Sequence, residues 1–285
     1  VSDLLDPKND FVFKRIFGSE ENKDILLAFL NHTFHEAGEP PLTEIVLMNP
    51  YTDKDSPADK QSIFDIRAKT ALGELINIEM QLFNQYDIEK RTLYYWSKQY
   101  ASQLIEGQRY RRLRKSVTIT IVNFSFLPND RYHNIFRLRE DHTAISLTND
   151  LEIHVMELAK LDHRPLRIEG GLLNWLLFLK GIDPSNWEVL TMNEPVLRKA
   201  MNTLEFLSQD AEARRLYEMR QKALHDEISM IEGAREEGRE EGREEGVHLK
   251  AIEVARKMLA KGKDMDEIIE YSGLTAQEIR QLKAH

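Results

Sequence analysis

The chain has 285 residues, 41% of them hydrophobic, and a formal net charge of −9, which suits one large packed domain plus a small one. It contains no cysteine, which excludes a disulfide frame, a thiolate zinc site and a cysteine nucleophile. Its longest apolar stretch, "GLLNWLLFL", is interrupted by Asn174 and falls well short of the roughly 20 residues a membrane span needs. The first residues carry Asp3 and Asp6 in place of a cationic, apolar leader, so a cytoplasmic protein with no membrane partner is expected.

Residues 10–36 read as a helix, with Phe13, Ile16 and Phe17, then Ile25, Leu26, Phe29 and Leu30, at helical spacing. His32 and His35 stand three apart on it, but the pattern offers no third ligand, which leaves a metal site there little support. A short strand starts at Ile45, and the stretch to Lys60, with Pro50, Pro57 and several aspartates, reads as loop. Residues 63–81 follow as a hairpin turning at Gly73. Residues 86–106 read as a helix ending at Gly107, with Arg91 and Tyr95 four apart on one face. "SVTITIVNFSF" is the clearest strand of the chain, and "DLEIHVMELAKL" adds another. Residues 170–224 read as helical, with Trp175, Leu176 and Leu179 as core.

Glycine recurs at 238, 242 and 246 and arginine at 235, 239 and 243, within a segment from 226 to 246 that holds nine acids against three arginines. A helix here gains about 0.2–0.5 kcal/mol from each Glu–Arg pair and loses about 1 kcal/mol at each glycine. The segment is therefore either a flexible acidic linker or a helix whose glycine stripe admits a partner helix. We favour the second, which implies a homodimer formed through the C-terminal helical region. Three short helices follow, 251–260, 264–271 and 275–282, with Thr275 and Glu278 as a capping box. They have the pattern of a helix-turn-helix, in which Gln277, Arg280 and Gln281 could reach bases; a small packing or dimerising domain fits equally. The expected organisation is a core domain at 1–225, the acidic segment at 226–246 and a helical domain at 247–285.

The hairpin carries the chemistry. Along a strand, Leu75, Asn77, Glu79 and Gln81 share one face, and Ile76, Ile78 and Met80 share the other. A three-residue loop at 71–73, with Gly73 at positive φ, sets Asp65 opposite Glu79. A register slip by two leaves both acids on that face. Side by side they repel, a cost that a divalent cation between them would remove. A half-solvated strand with no such role would show the same alternation.

Asp65, a hairpin, then Glu79-Met80-Gln81 and a helix resemble the core of the PD-(D/E)xK nucleases, with Gln81 in the place of the usual lysine. "DPKNDFVFKRIFG", "FDIRAKTALGELINIEMQ", "KRTLYYWSKQYASQLIEGQRY" and "EEGREEGREEG" extend the resemblance, over most of the chain, to the recombination-promoting nuclease (Rpn) family, also labelled putative transposases. The resemblance implies an α/β, restriction-endonuclease-like fold, with a mixed central sheet flanked by helices and a helical C-terminal region. It implies a metal-dependent DNA endonuclease that hydrolyses phosphodiester bonds and promotes DNA recombination. Asp65 and Glu79 would hold Mg²⁺, or Ca²⁺ or Mn²⁺ in its place, the Met80 backbone carbonyl would complete the set, and Gln81 would orient water or phosphate. The superfamily often adds an acid from its first helix, for which Asp10 is the nearest candidate; a helix-start role explains Asp10 equally well.

A total charge of −9 opposes a DNA partner at long range, but the charge is unevenly spread. From Glu89 to Lys115 eight basic residues face two acidic ones. Arg109, Arg111, Arg112, Arg114 and Lys115 are candidates for backbone contact, with a solvated loop as the competing reading. In this fold type the helix after the Glu-bearing strand often reaches the site, which adds Arg91 and Tyr95, although packing beside Tyr94 and Trp96 would also account for Tyr95. A second function class stays open: a nuclease fold with a degenerate site that binds itself or a partner, for which the missing lysine speaks.

Overall fold

In the computed structural model the described residues are 4–49, 65–83, 87–162, 170–181, 183–192 and 194–283. They form two compact units, Val1–Arg220 and Gln221–His285. The expected loop from 50 to 60 lies outside the described residues.

The first unit is built on six strands, β1 (Ile45–Met48), β2 (Ile66–Thr70), β3 (Leu75–Gln81), β4 (Ser116–Val122), β5 (His133–Arg137) and β6 (Leu151–Glu157), in the order β1-β2-β3-β4-β6-β5. β3–β4 and β4–β6 are parallel and the other pairs antiparallel, so the sheet is mixed. The parallel step from β3 to β4 requires a crossover, which α3 (Ile88–Ala101) supplies. Between β2 and β3, Ile66 pairs with Ile78, Arg67 with Asn77, Ala68 with Ile76 and Lys69 with Leu75. The loop at 71–73 is closed by Thr70 N–H to Glu74 O at 3.0 Å and Gly73 N–H to Thr70 O at 2.9 Å, with Gly73 at φ +82°. This is the turn and register the hairpin sequence predicts.

One sheet face is apolar. Ile76 and Ile78 join Ile66, Ala68, Val117, Ile119 and Ile121 in a core completed by α1 (Asp10–Phe17), α2 (Lys23–Glu36), α4 (Leu172–Lys180) and α6 (Pro195–Gln209). Phe17 sits among Phe13, Phe29 and Trp175 with ring centroids 5.0–6.0 Å apart. α1 and α2 are two helices, where spacing predicts one. Gly18 ends α1, its N–H bonded to Lys14 O, and a Cβ at Gly18 would stand 2.9 Å from that carbonyl. A short turn, Glu20–Asn22, then restarts the chain as α2. Apolar periodicity resumes in phase after the break, so spacing alone does not show it. α3 likewise stops at Ala101, before Gly107, because Gln103 beyond it bonds both N–H and C=O of Arg114 at 2.9 Å and draws the chain toward β4.

After α5 (Trp187–Thr191), the helix α7 runs from Ala211 to Ala260 and contains the whole Glu/Arg/Gly segment, so that segment is helical. In the second unit Ala255, Ile268, Leu274 and Ile279 form the core with α8 (Met265–Ser272) and α9 (Ala276–Lys283). The capping box is present: Thr275 N–H donates to Glu278 Oε2 at 2.7 Å, and Glu278 N–H to Thr275 Oγ1 at 3.3 Å. Among the described residues no helix is long and apolar enough to cross a membrane.

Candidate active site

The polar face of β3 is interior. Asn77, Glu79 and Gln81 are 0%, 5% and 9% exposed, because β3 lies between β2 and β4 and α3 covers this face. Thr118 of β4 donates to Asn77 Oδ1 at 2.7 Å, Thr92 of α3 meets Thr120 at 3.4 Å, and Gln99 of α3 bonds Leu75 O and Ser116 Oγ. A half-solvated strand does not describe this geometry.

Asp65 precedes the Ile66–Ile78 pair, which puts it beside Glu79. Its Oδ2 accepts the Met80 N–H at 2.8 Å, and its Oδ1 lies 3.1 Å from Lys14 Nζ. Leu75 N–H donates to Lys115 O, and Gln81 O accepts from Asn123 N–H; hence odd residues of β3 aim their backbone groups at β4 and even ones at β2. The Met80 carbonyl therefore faces the same side as its N–H, toward Asp65.

Glu79 is the least comfortable group in the site. One oxygen lies 3.6 Å from an Arg91 nitrogen, and the other, buried Oε1, has no hydrogen-bond partner. Burial, then the Asp65 charge, push its pKa up to about 8 against the opposing pull of Arg91 and Lys14. Gln81 is assigned with its carbonyl toward Arg91, the orientation in which it accepts from the guanidinium at 3.2–3.3 Å. Arg91 in turn lies over the Tyr95 ring, 5.2 Å from its centroid. The four-residue spacing on α3 thus brings both candidates to the site.

Asp10 joins at the margin. Lys14, one turn on along α1, lies 3.9 Å from Asp10 and 3.1 Å from Asp65, and Arg220 approaches Asp10 at 3.8 Å. Lys14 is not among the residues the sequence singles out. Its only signal was the i,i+4 spacing from Asp10, since nothing local connects it to Asp65. The remaining basic candidates lie elsewhere: Arg109, Arg111, Arg112 and Arg114 are exposed between α3 and β4. Lys115 is held in a separate cluster, 3.1 Å from both Glu39 and Glu152. His32 faces Glu194 at 3.3 Å.

Among the described residues no three His, Asp or Glu side chains converge as a metal cluster. The chemistry of the pair nevertheless suits a hard cation, because an unsatisfied carboxylate oxygen and a like-charged neighbour both gain from one.

A mixed sheet with helices on its apolar face, a crossover helix on the other and paired acids on adjacent strands defines a PD-(D/E)XK nuclease-like α/β protein. Residues 7–234 match the model described as PD-(D/E)XK nuclease family transposase. Residues 248–284 match the Rpn/YhgA-like nuclease family, C-terminal HTH domain. The chain belongs to the PD-(D/E)XK nuclease family transposases, with an Rpn-type helix-turn-helix domain behind its nuclease fold. No curated protein and no solved structure is significantly similar to it.

Proposed function

We propose that the protein is a cytoplasmic, divalent-metal-dependent DNA endonuclease that hydrolyses phosphodiester bonds in support of recombination. The observation that carries this reading is Glu79, held buried beside Asp65 with one oxygen unsatisfied. A fold does not retain such a group for stability. Asp65, Glu79 and the Met80 carbonyl would hold Mg²⁺, which would activate water at neutral pH and neutralise charge on the phosphate.

The remaining groups supply positioning and charge. Arg91, fixed over Tyr95, holds the Gln81 carboxamide at the end of β3, where it can orient a water or a phosphate oxygen. Gln81 carries no charge; Lys14 brings an ammonium to Asp65 from α1 and serves in place of the lysine absent from the strand. The helix-turn-helix domain supports DNA as the partner. Gly238, Gly242 and Gly246 recur every four residues on the helix α7, and their missing Cβ atoms would let a second copy approach closely along that stripe.

The deciding experiment is plasmid nicking by wild type, Asp65→Ala and Glu79→Ala, each with Mg²⁺, with Ca²⁺ and with chelator. Metal-dependent nicking lost in both variants supports the enzyme. A second reading, a degenerate nuclease fold acting through partner binding, draws on the engagement of uncharged Gln81 by Arg91. It prevails if all three proteins fail to nick.

A further inference from the structure

We infer that a cavity of about 950 Å³ at the turn end of β2 and β3 is a groove for the phosphate backbone of DNA, an assignment that extends the endonuclease reading. Arg67, Lys69, Arg111, Arg112 and Arg114 line it, and among the described residues no acidic side chain does. Among the described residues its apolar lining amounts to Met48 and Leu75, with no aromatic ring there on which a base could stack. The described lining therefore favours contact with charge over contact with bases.

Its cations differ from others nearby. Lys115, next in the chain, is neutralised by Glu39 and Glu152. Among the described residues Lys69, Arg111, Arg112 and Arg114 form no ion pair, so no described carboxylate meets their mutual repulsion. The backbone beneath them is fixed: Gln103 clamps Arg114, and the Arg114 Cγ lies 3.6 Å from a Cβ built on Gly73. Arg67, 8% exposed, is oriented by a 3.0 Å bond from its Nη1 to Asn49 O. Guanidinium groups held in this way suit phosphate oxygens, which they can meet in pairs.

Position ties the groove to the active site. Asp65, Arg67 and Lys69 alternate along β2 and share the face of Asn77 and Glu79. At about 3.3 Å per residue, Lys69 lies about 13 Å from Asp65, the advance of about four nucleotides of one duplex strand. A strand cut beside Asp65 would have its backbone in the groove a few phosphates away.

The test is fluorescence anisotropy of a duplex of about 30 base pairs with the full chain, with Ca²⁺ replacing Mg²⁺, across a salt series. The variant Lys69→Gln/Arg111→Gln/Arg112→Gln should lower the slope of log K against log salt by about 2 to 3, at about 0.9 per lost phosphate contact. A control with the same charge loss, Arg198→Gln/Arg215→Gln/Lys222→Gln, should keep the wild-type slope. Equal falls in both variants, or none in the first, overturn the groove. Should the triple variant melt early, Lys69→Gln/Arg112→Gln is expected to lose about 1.8 of slope. Saturable inorganic phosphate binding that the groove variant loses, with its duplex slope unchanged, would assign the site to a free anion and overturn the DNA assignment. Asp65→Ala should keep the wild-type slope; if wild type never nicks DNA yet the groove variant loses slope, the endonuclease reading falls and the groove stands.

Discussion

Glu79→Gln preserves the shape of the buried side chain and removes its charge. In wild type without metal, burial and then Asp65 hold the Glu79 pKa at about 8, against an ordinary value of 4.5. Folding therefore takes up a proton at this residue. Its stabilising contribution is complete below about pH 4.5 and is lost as pH rises through 8. The whole shift corresponds to about 5 kcal/mol, of which about 3 kcal/mol falls between pH 6 and pH 10. At 5% exposure solvent screening removes little of it. Urea unfolding in chelator at pH 6 and pH 10 measures the effect as a difference of differences. Wild type should lose about 3 kcal/mol more than Glu79→Gln over that interval, a midpoint change on the order of 1 M urea. Saturating Ca²⁺, which unlike Mg²⁺ stays in solution at pH 10, should restore wild type there and leave the variant unmoved. Parallel pH profiles for the two proteins would refute the reasoning, because they would mean that Glu79 is ionised at no cost.

Asp65→Ala should lose both nicking and the rise in melting temperature on adding Mg²⁺, read by scanning fluorimetry; a retained rise would place the ion elsewhere. Lys14→Gln should slow nicking about 100-fold, the scale of one lost electrostatic contact in an active site, while keeping the Mg²⁺-induced rise. Loss of that rise would make Lys14 a structural residue. Glu152→Ala should destabilise the protein by about 3–5 kcal/mol in chemical unfolding, since Lys115 and Arg137 would lose a buried partner, with nicking by the folded protein unchanged. Burial alone would raise the Glu152 pKa, but His154, Lys115 and Arg137 outweigh it and bring it to about 2. The stability it confers is therefore present above about pH 4.5 and is lost as pH falls toward 2, a loss the variant should not show. Gly73→Ala should cost about 1 kcal/mol, because φ +82° is strained for any residue with a Cβ.

Strand periodicity and turn chemistry are local, and they were readable. Alternation around Glu79 assigned the two faces of β3, and Gly73 set the register that brings Asp65 beside it. Spacing placed Arg91 and Tyr95 on one helix face, and the family resemblance pointed that helix at the site. What could not be read required long-range contact. Lys14 meets Asp65 only because α1 packs on the apolar face, and no pattern inside either segment encodes that approach. The polar face of β3 is buried because β4 and α3 close over it, an effect of pairing order and not of composition. β5, "HNIFR", mixes polar and apolar residues at the sheet edge, where one side of a strand is left unpaired and selection for alternation is weak. The basic run after α3 showed its charge in the sequence, but not that Lys115 would be neutralised while Lys69, more than forty residues before Arg111, Arg112 and Arg114, would join them.

Core and site occupy opposite sides of the same seven residues of β3, and this bears on how such a gene can decay. An insertion or deletion of one residue there inverts both faces at once, removing fold and chemistry together. A substitution at Glu79 touches only the chemistry, and above about pH 8 it relieves the metal-free protein of a buried charge. Inactive descendants should therefore accumulate as well-folded proteins with an intact strand length and a neutral residue at position 79. Selection on folding alone would favour such descendants over the parent, so on the proposed nuclease reading a lineage keeps this acid only while cutting is rewarded.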